Sequence, residues 1–505
     1  MKKVYVLSNR YMDSVTLMDI ALKLAEKEGI NGAECGMGTK QNIELLVQEG
    51  YNVPNDVTKN DLMLALDVQD EQAMAQAYAF GVQLLTDNRS NGNKRVYHSI
   101  DEMEYGEFDV VQISLPGQYA ITEAKKAIDK GMDVFIFTAD VTLEEERELK
   151  EYGRNRERLV MGPDAGVGLL GGVAMAAGSI VRRGPIGVIG ASGSGSQEVA
   201  CLIEAMGSGV TCILGTGGRD LNKKVGGVSM KANMKRLEQD EDTKVICLVS
   251  MFADREVMKD VLFEADKLQK PVVAVFLGAD EALYEGNKVV GAFNLQQAAK
   301  LCVRLAQDGE SIIGWTDEEA KQLAKVCATK MQGEKRCYFR GLYTGGTFVE
   351  EALITFCAIA PEVKLHTNRD TARYAKRLTT HKHSVGHTLL DMGDLDFTAE
   401  APHTVFDPAQ RFARFRQELD DPQVGLIAMD IILGPGVASD PASCYLPLMR
   451  QRKDVIYVVA VCGGEGDPQN KAQIQEKMRE AGAIVADSNY ESARLCALIC
   501  QEIEG

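Results

Sequence analysis

Short runs of β-branched and aliphatic residues alternate with longer amphipathic, Ala/Glu/Lys-rich segments along nearly the whole chain. That is the pattern of parallel strands joined by crossover helices, so it predicts an α/β fold built from doubly wound units. Runs that read as strands are 110–115, 133–137, 186–190, 243–250, 271–278, 425–433 and 454–463; segments 122–131, 142–153 and 470–482 read as helices between them. A chain of 505 residues is too long for one such unit, and domains of about 160 residues are typical. The Gly-rich stretch 162–184 and the polar stretch 323–336 read as links, giving units over 1–165, 180–328 and 336–505.

The second and third units carry one motif twice. Ser192-Gly193-Ser194 followed by Glu198-Val199 recurs as Gly345-Gly346-Thr347 followed by Glu351-Ala352, 153 residues later. Each copy follows a strand and opens a helix. Solenoid periods are about 20–50 residues, so this spacing means domain duplication.

Composition narrows the function classes. The net charge of −17 repels a phosphate backbone, so no nucleic-acid partner is expected. The most apolar stretch, 168–181, is short and broken by glycine, and the chain starts without a signal peptide's apolar core, so no membrane partner and a cytoplasmic location are expected. Twelve cysteines without a Cys-x-x-Cys pair point to neither disulfides nor zinc; Cys496 and Cys500, four apart, read as core thiols.

Three glycine-rich strand exits suggest an anion site. In the turn Ser192, Gly193, Ser194, Gly195, Ser196, glycine admits close backbone approach and the helix that follows offers unpaired N–H groups at its positive end. Gly217 and Gly218 form a second such exit, and Gly434 and Gly436, in Leu433–Val437, a third. No Gly-Lys-Ser/Thr follows, which excludes a Walker loop, and the first unit holds no G-x-G-x-x-G. Ligands of open α/β sheets bind beyond the carboxyl ends of strands, so the three exits together favour a phosphorylated small molecule.

Histidine is unevenly spread: His98 stands alone, while His366, His381, His383, His387 and His403 crowd together. His387 or His403 is the candidate proton carrier near neutral pH. Asp391, Asp394, Asp396 and Asp407 in the same region offer oxygens for Mg²⁺. For His381 and His383 a solvated polar loop is the simpler reading.

Family motifs sharpen this picture. Residues 110–166, ending in MGPDAG, look like the closing half of the CoA-binding domain of succinyl-CoA synthetase α subunits. IGASGSGSQEVA stands at that family's S-R-S-G-T-x-x-x-E-A helix start, which places Ser192, Gly193, Ser194 and Glu198 on its phosphate-site residues, and GGRDLN resembles its G-G-D-P-F-N. The third unit is similar to the β-subunit ligase domain: TLLDMGD resembles F-L-D-V-G-G and MDIILGPGVASD resembles N-I-F-G-G-I. Fusion of the two, with GHTLLDMGD and APHTVFDP, resembles the FdrA family over nearly the whole chain. The resemblance implies a Rossmann-like CoA-binding-type domain followed by two flavodoxin-like ligase domains.

The departures bear on chemistry. Residues 270–293, where the synthetase carries its phosphorylated histidine, contain none; the first unit begins VLSNRYMDSVT where the CoA loop is glycine-rich, so neither a phosphohistidine relay nor bound CoA is implied. FdrA-type proteins are associated with oxamate carbamoyltransferase of anaerobic allantoin breakdown, which interconverts oxalurate plus phosphate with oxamate plus carbamoyl phosphate. On that reading Ser192–Ser196 and Gly434–Gly436 hold phosphate, with Gly217, Gly218, Gly345, Gly346 and Thr347 around them; Glu198 and His387 or His403 serve catalysis, and partner subunits or a homo-oligomer complete the enzyme. The alternatives are an ADP-forming acyl-CoA ligase with a partner chain and a non-catalytic CoA-binding scaffold.

Overall fold

A computed structural model describes the chain except residues 9, 11, 13, 26, 28, 60, 87–96, 98, 252, 310–312, 371, 372, 400 and 505, and the side chains of 14–16, 18, 19 and 41. His98 therefore lies outside the described residues. The chain divides into two units, Met1–His98 and Ser99–Gly505.

The first unit comprises β1 (Lys2–Leu7), α1 (Ser14–Ala25), β2 (Ile30–Met37), α2 (Lys40–Gln48), β3 (Leu62–Val68) and α3 (Glu71–Thr86). Its sheet, ordered β1-β3-β2, is antiparallel throughout. Strand β3 is covered on both faces: Leu62, Leu64 and Leu66 pack with Leu17, Leu24 and Met74, whereas Met63 and Ala65 pack with Leu46 and Tyr51. The expected single Rossmann-like unit over 1–165 is thus replaced by this separate antiparallel unit and a short parallel sheet in the next. A strand buried on both faces reads as a continuous apolar run, which from sequence looks parallel.

The second unit opens with β4 (Val110–Ile113), α4 (Gly117–Asp129), β5 (Asp133–Ile136), α5 (Leu143–Arg154) and β6 (Val160–Met161), a parallel sheet of three strands. Thr142 and Glu145 form a capping box that starts α5. The Gly-rich stretch taken for a link is instead a hairpin, β7 (Val167–Leu170) and β8 (Val173–Ala176), whose turn uses positive φ at both Gly171 (+55°) and Gly172 (+81°), the backbone of a tight two-residue loop. The hairpin adds two antiparallel strands to the edge of the next sheet.

That sheet is ordered β13-β12-β11-β9-β10-β7-β8, with β9 (Arg183–Gly190), α6 (Gly193–Ala205), β10 (Val210–Gly215), α7 (Val228–Gln239), β11 (Val245–Ser250), α8 (Arg255–Ala265), β12 (Val272–Phe276), β13 (Val290–Ala292) and α9 (Leu295–Ala306). The polar stretch 323–336, expected to be a link, is mostly the end of helix α10 (Asp317–Gly333), whose Ala324, Cys327 and Met331 are buried. The remaining sheet is wholly parallel, ordered β16-β15-β17-β14-β18-β19-β20. Its elements are β14 (Tyr338–Tyr343), α11 (Gly346–Ile359), β15 (Leu365–Thr367), β16 (Lys376–Arg377), β17 (His387–Asp391), α12 (Leu395–Thr398), α13 (Ala409–Leu419), β18 (Val424–Ile432), α14 (Leu446–Gln451), β19 (Ile456–Cys462), α15 (Lys471–Glu480), β20 (Ile484–Ala486) and α16 (Asn489–Glu504). The α/β class with parallel sheets read from the sequence is therefore what the chain adopts.

In the first large sheet β9 lies between β10 and β11, and in the second β14 lies between β17 and β18, so in each the chain crosses from one side of the repeat's first strand to the other. Such switch points open a crevice at the carboxyl edge. The duplicated glutamates lock the two sheets together by exchange. Glu198 on α6 accepts from the Asn489 N–H that begins α16 (2.9 Å), and Glu351 on α11 accepts from the Leu295 N–H that begins α9 (2.8 Å) and from Asn489 Nδ2 (2.7 Å). Both carboxyls are buried, and burial raises both above the usual range, Glu351 to about 7.

A raised carboxyl pKa means that the fold favours the protonated form. The stabilisation is present below the unfolded value near 4.3 and is lost as pH rises through about 7. Glu351→Gln stays neutral, so between pH 4 and pH 8 it should gain about 3 kcal/mol on the native chain, read from denaturant midpoints. Parallel stability curves for the two proteins would contradict this.

Candidate active site

Strands β9 and β14 end beside each other. Ser192, in extended conformation, caps α6 by accepting from Gly195 N–H at 3.1 Å, and its Oγ is 2.7 Å from Thr347 Oγ1 in the first turn of α11. The first turns of two long helices therefore meet, each with N–H groups that no carbonyl one turn back can satisfy. Their positive dipole ends converge. Glycine is required here: a Cβ on Gly195 would stand 2.6 Å from Ser192 Oγ and 3.0 Å from Thr347 Cγ2.

Beside this junction lies a cavity of about 370 Å³. Gly193, Ser194 and Gln197 from α6 line one side, and Thr344 and Gly345 from the β14 exit another. His403, Val405 and Phe406, in the connection from α12 to α13, form a wall, and Phe137, Thr138 and Asp164 from the small parallel sheet close it. Val405 N–H donates to His403 Nδ1 at 3.2 Å, so the neutral ring carries its proton on Nε2. Burial holds His403 below the ordinary histidine pKa, against the pull of Asp430, and keeps it neutral at pH 7. Burial likewise raises the Asp164 carboxyl, with the Arg219 charge opposing. The site thus presents helix N-termini, a neutral imidazole and a carboxyl inclined to hold a proton.

The structure sorts the sequence candidates. Gly193, Ser194, Gly345 and His403 line the cavity, and Ser192 and Thr347 join the turns behind it. Ser196 is buried, its hydroxyl donating to Ser192 O at 2.6 Å. Gly346 faces elsewhere: a Cβ there would meet the ion pair of Arg369 and Asp391. Glu198 is withdrawn from the cavity, being committed to Asn489. His387 begins β17, at the amino-terminal edge, where Nδ1 accepts from Phe339 N–H and Nε2 pairs with Glu504. Burial also lowers its pKa, and it moves no proton at this cavity.

The two remaining glycine exits serve packing. A Cβ on Gly217 would fall 2.0 Å from Pro163 O, so the 217–218 turn seats the turn that carries Asp164. Gly434 N–H donates to Gln469 Oε1, and Cβ atoms on Gly434 and Gly436 would meet the carbonyls of Gly178 and Ala176 at 2.8 and 2.2 Å. The next helix, α14, starts ten residues after Gly436, so this exit is no helix N-terminus; Pro435 and Gly436 border a neighbouring cavity that shares Phe137 and Phe406. The second helix end at the junction is that of α11. The aspartates proposed for Mg²⁺ are dispersed: Asp391 binds Arg369, Asp394 caps α12 and Asp407 accepts from Ala409 N–H. Among the described residues no group of three His, Cys, Asp or Glu side chains could hold a metal. Asp164, Thr138 and Phe137 went unnoticed because they come from another sheet.

Three family models match the chain: "AllF, heavy metal-associated domain" over 1–99, "CoA binding domain" over 181–278 and "CoA-ligase" over 342–499. The protein YahF of Escherichia coli, described as uncharacterized, is 31% identical over 99% of both chains. The chain belongs to the FdrA-like acyl-CoA synthetase family. Within that family its CoA-binding match falls on 181–278 rather than on 1–165, where the sequence placed it. The α subunit of ADP-forming succinate–CoA ligase of Methanothermobacter thermautotrophicus is 26% identical, covering 36% of this chain and 62% of its own. The apo dinucleotide-forming acetyl-coenzyme A synthetase 1 of Ca. Korarchaeum cryptofilum aligns at 14% identity over 81% of this chain and 86% of its own, with a TM-score of 0.35.

The residues of the first unit do not fit the heavy metal in their model's description. Cys35 is the unit's one cysteine, and burial, with the adjacent Glu34, pushes its thiol up to about 12, far from the thiolate a soft metal needs. Among the described residues, no helix is long and apolar enough to cross a membrane.

Proposed function

We propose that this FdrA-like protein is a subunit of an oxamate carbamoyltransferase acting in allantoin breakdown, and that the cavity at the α6–α11 junction holds phosphate. The observation that carries the reading is the Ser192–Thr347 hydrogen bond, which brings two helix N-termini together beside a cavity. The match of residues 1–99 to the AllF model supports the pathway. A phosphate oxygen attacks the carbamoyl carbon of oxalurate; the C–N bond breaks, and the phosphate hydroxyl proton passes to the departing amide nitrogen, yielding oxamate and carbamoyl phosphate. Helix N–H groups meet the phosphate charge, His403 Nε2–H hydrogen-bonds the carbonyl oxygen under attack, and Asp164 relays the proton. Partner chains complete the enzyme.

The acyl-CoA ligase reading has the CoA-binding and CoA-ligase matches in its favour. Against it stands the absence of histidine from residues 270–293. Oxalurate, phosphate and the purified chain, with and without candidate partner chains, should form carbamoyl phosphate. Thioester formation from a carboxylic acid, CoA and nucleotide, with no phosphorolysis, would decide for the ligase.

His403→Gln should lower kcat by about 10²–10³-fold, the range for loss of one preorganised donor. Because His403 acts in its neutral form and burial lowers its pKa from the ordinary histidine value, the acid limb that its protonation imposes on the pH profile should lie below that ordinary value. An acid limb centred above pH 7 contradicts the assignment.

A further inference from the structure

Residues 197 of α6 and 350 of α11 hold the same position in the repeat, 153 apart, and each lines a cavity. Gln197 lines the cavity described above; Glu350 lines a second, also about 370 Å³, that shares no lining residue with the first. Its walls include Met251 and Leu277 beyond the ends of β11 and β12, so it too lies at the carboxyl edge of a parallel sheet.

The two equivalent side chains differ in what they have left to bond. The Gln197 amide is occupied, donating to Ser179 Oγ at 2.6 Å and Leu433 O at 2.8 Å. Glu350 is only 7% exposed, yet among the described residues its Oε2 has no hydrogen-bond partner. Arg369 Nε faces it as an ion pair at 4.0 Å, too far for a hydrogen bond, and among the described residues this buried N–H has no hydrogen-bond partner either. A buried acceptor and a buried donor left open on one cavity call for a third group between them. Arg373 also borders the cavity; its guanidinium lies 5.4 Å from the Tyr374 ring centroid and forms no ion pair among the described residues.

We infer that this cavity is a second small-molecule site, taking a carboxylate that also carries an N–H donor: the anion on Arg373 and Arg369 Nε, the N–H on Glu350 Oε2. The inference does not depend on the carbamoyl-transfer reading, since it uses none of the first cavity's residues. It is tested on the full-length chain carrying Ser194→Glu, which blocks the first cavity. Isothermal titration with oxamate and N-carbamoylglycine should show saturable binding, and acetate, a carboxylate without N–H, should bind at least ten-fold more weakly. Glu350→Met should weaken oxamate at least ten-fold and erase the preference over acetate. Arg373→Ala, an exposed change that leaves the core intact, should weaken all three probes. No saturable binding by either N–H probe, equal binding of acetate, or indifference to Arg373→Ala overturns the site.

Discussion

Ser194→Glu is expected to lower phosphate-dependent turnover at least about 10²-fold while leaving the fold intact. Ser194 is the second residue of α6 and lines the cavity, and a Cβ on Gly345 would lie only 3.3 Å from its Oγ. A longer side chain has the cavity as its space, and its carboxylate would occupy the region where the anion is to bind. The same negative charge suits a helix N-terminus, where it contributes about 0.3–1 kcal/mol of stability. Activity and stability should therefore move in opposite directions, which separates loss of the site from loss of the fold. Ser194→Ala keeps the backbone N–H groups and should change turnover less than ten-fold. Steady-state kinetics with a thermal melt on each variant reads both quantities; Ser194→Glu with native turnover removes the cavity from the reaction.

How much of this was legible from sequence differs between local pattern and tertiary contact. Strands such as Val245–Ser250 and Val424–Ile432 are uniformly buried apolar runs, and their spacing by amphipathic helices gave away the parallel sheets. The 153-residue repeat located both helix starts and the two equivalent glutamates, Glu198 and Glu351, but not what those glutamates bond. Strand direction is not written in an apolar run, so the antiparallel pairing of β1, β2 and β3 went unread. Gly434 and Gly436 looked like ligand glycines because the need for a missing Cβ is the same whether a phosphate or the Ala176–Gly178 backbone approaches. His387 and His403 were indistinguishable by type and neighbourhood. Only the fold places one at the start of β17 and the other on the cavity wall.

Lys150→Met should destabilise the protein by about 3–5 kcal/mol, the usual effect of removing one partner from a buried ion cluster. Lys150, on α5, is fully buried, and its Nζ donates to Glu146 Oε1 at 2.7 Å, Asp220 Oδ1 at 2.9 Å and Thr216 O at 2.8 Å. Methionine keeps the volume and leaves two carboxylates without their shared cation. Arg219, 2.9 Å from Glu146 Oε2, and the Ser229 and Met230 N–H groups on Asp220 offset part of that loss. Urea denaturation at pH 7 measures it. The effect should reach the cavity as well. Thr216 precedes the Gly217 turn, and that turn packs on Pro163 next to Asp164, so Lys150 fixes the backbone on which the proposed proton relay sits. Lys150→Met should therefore lower kcat even under conditions where the chain is fully folded. Full turnover beside a large loss of stability would show that the ion cluster supports the fold alone and that Asp164 does not depend on it.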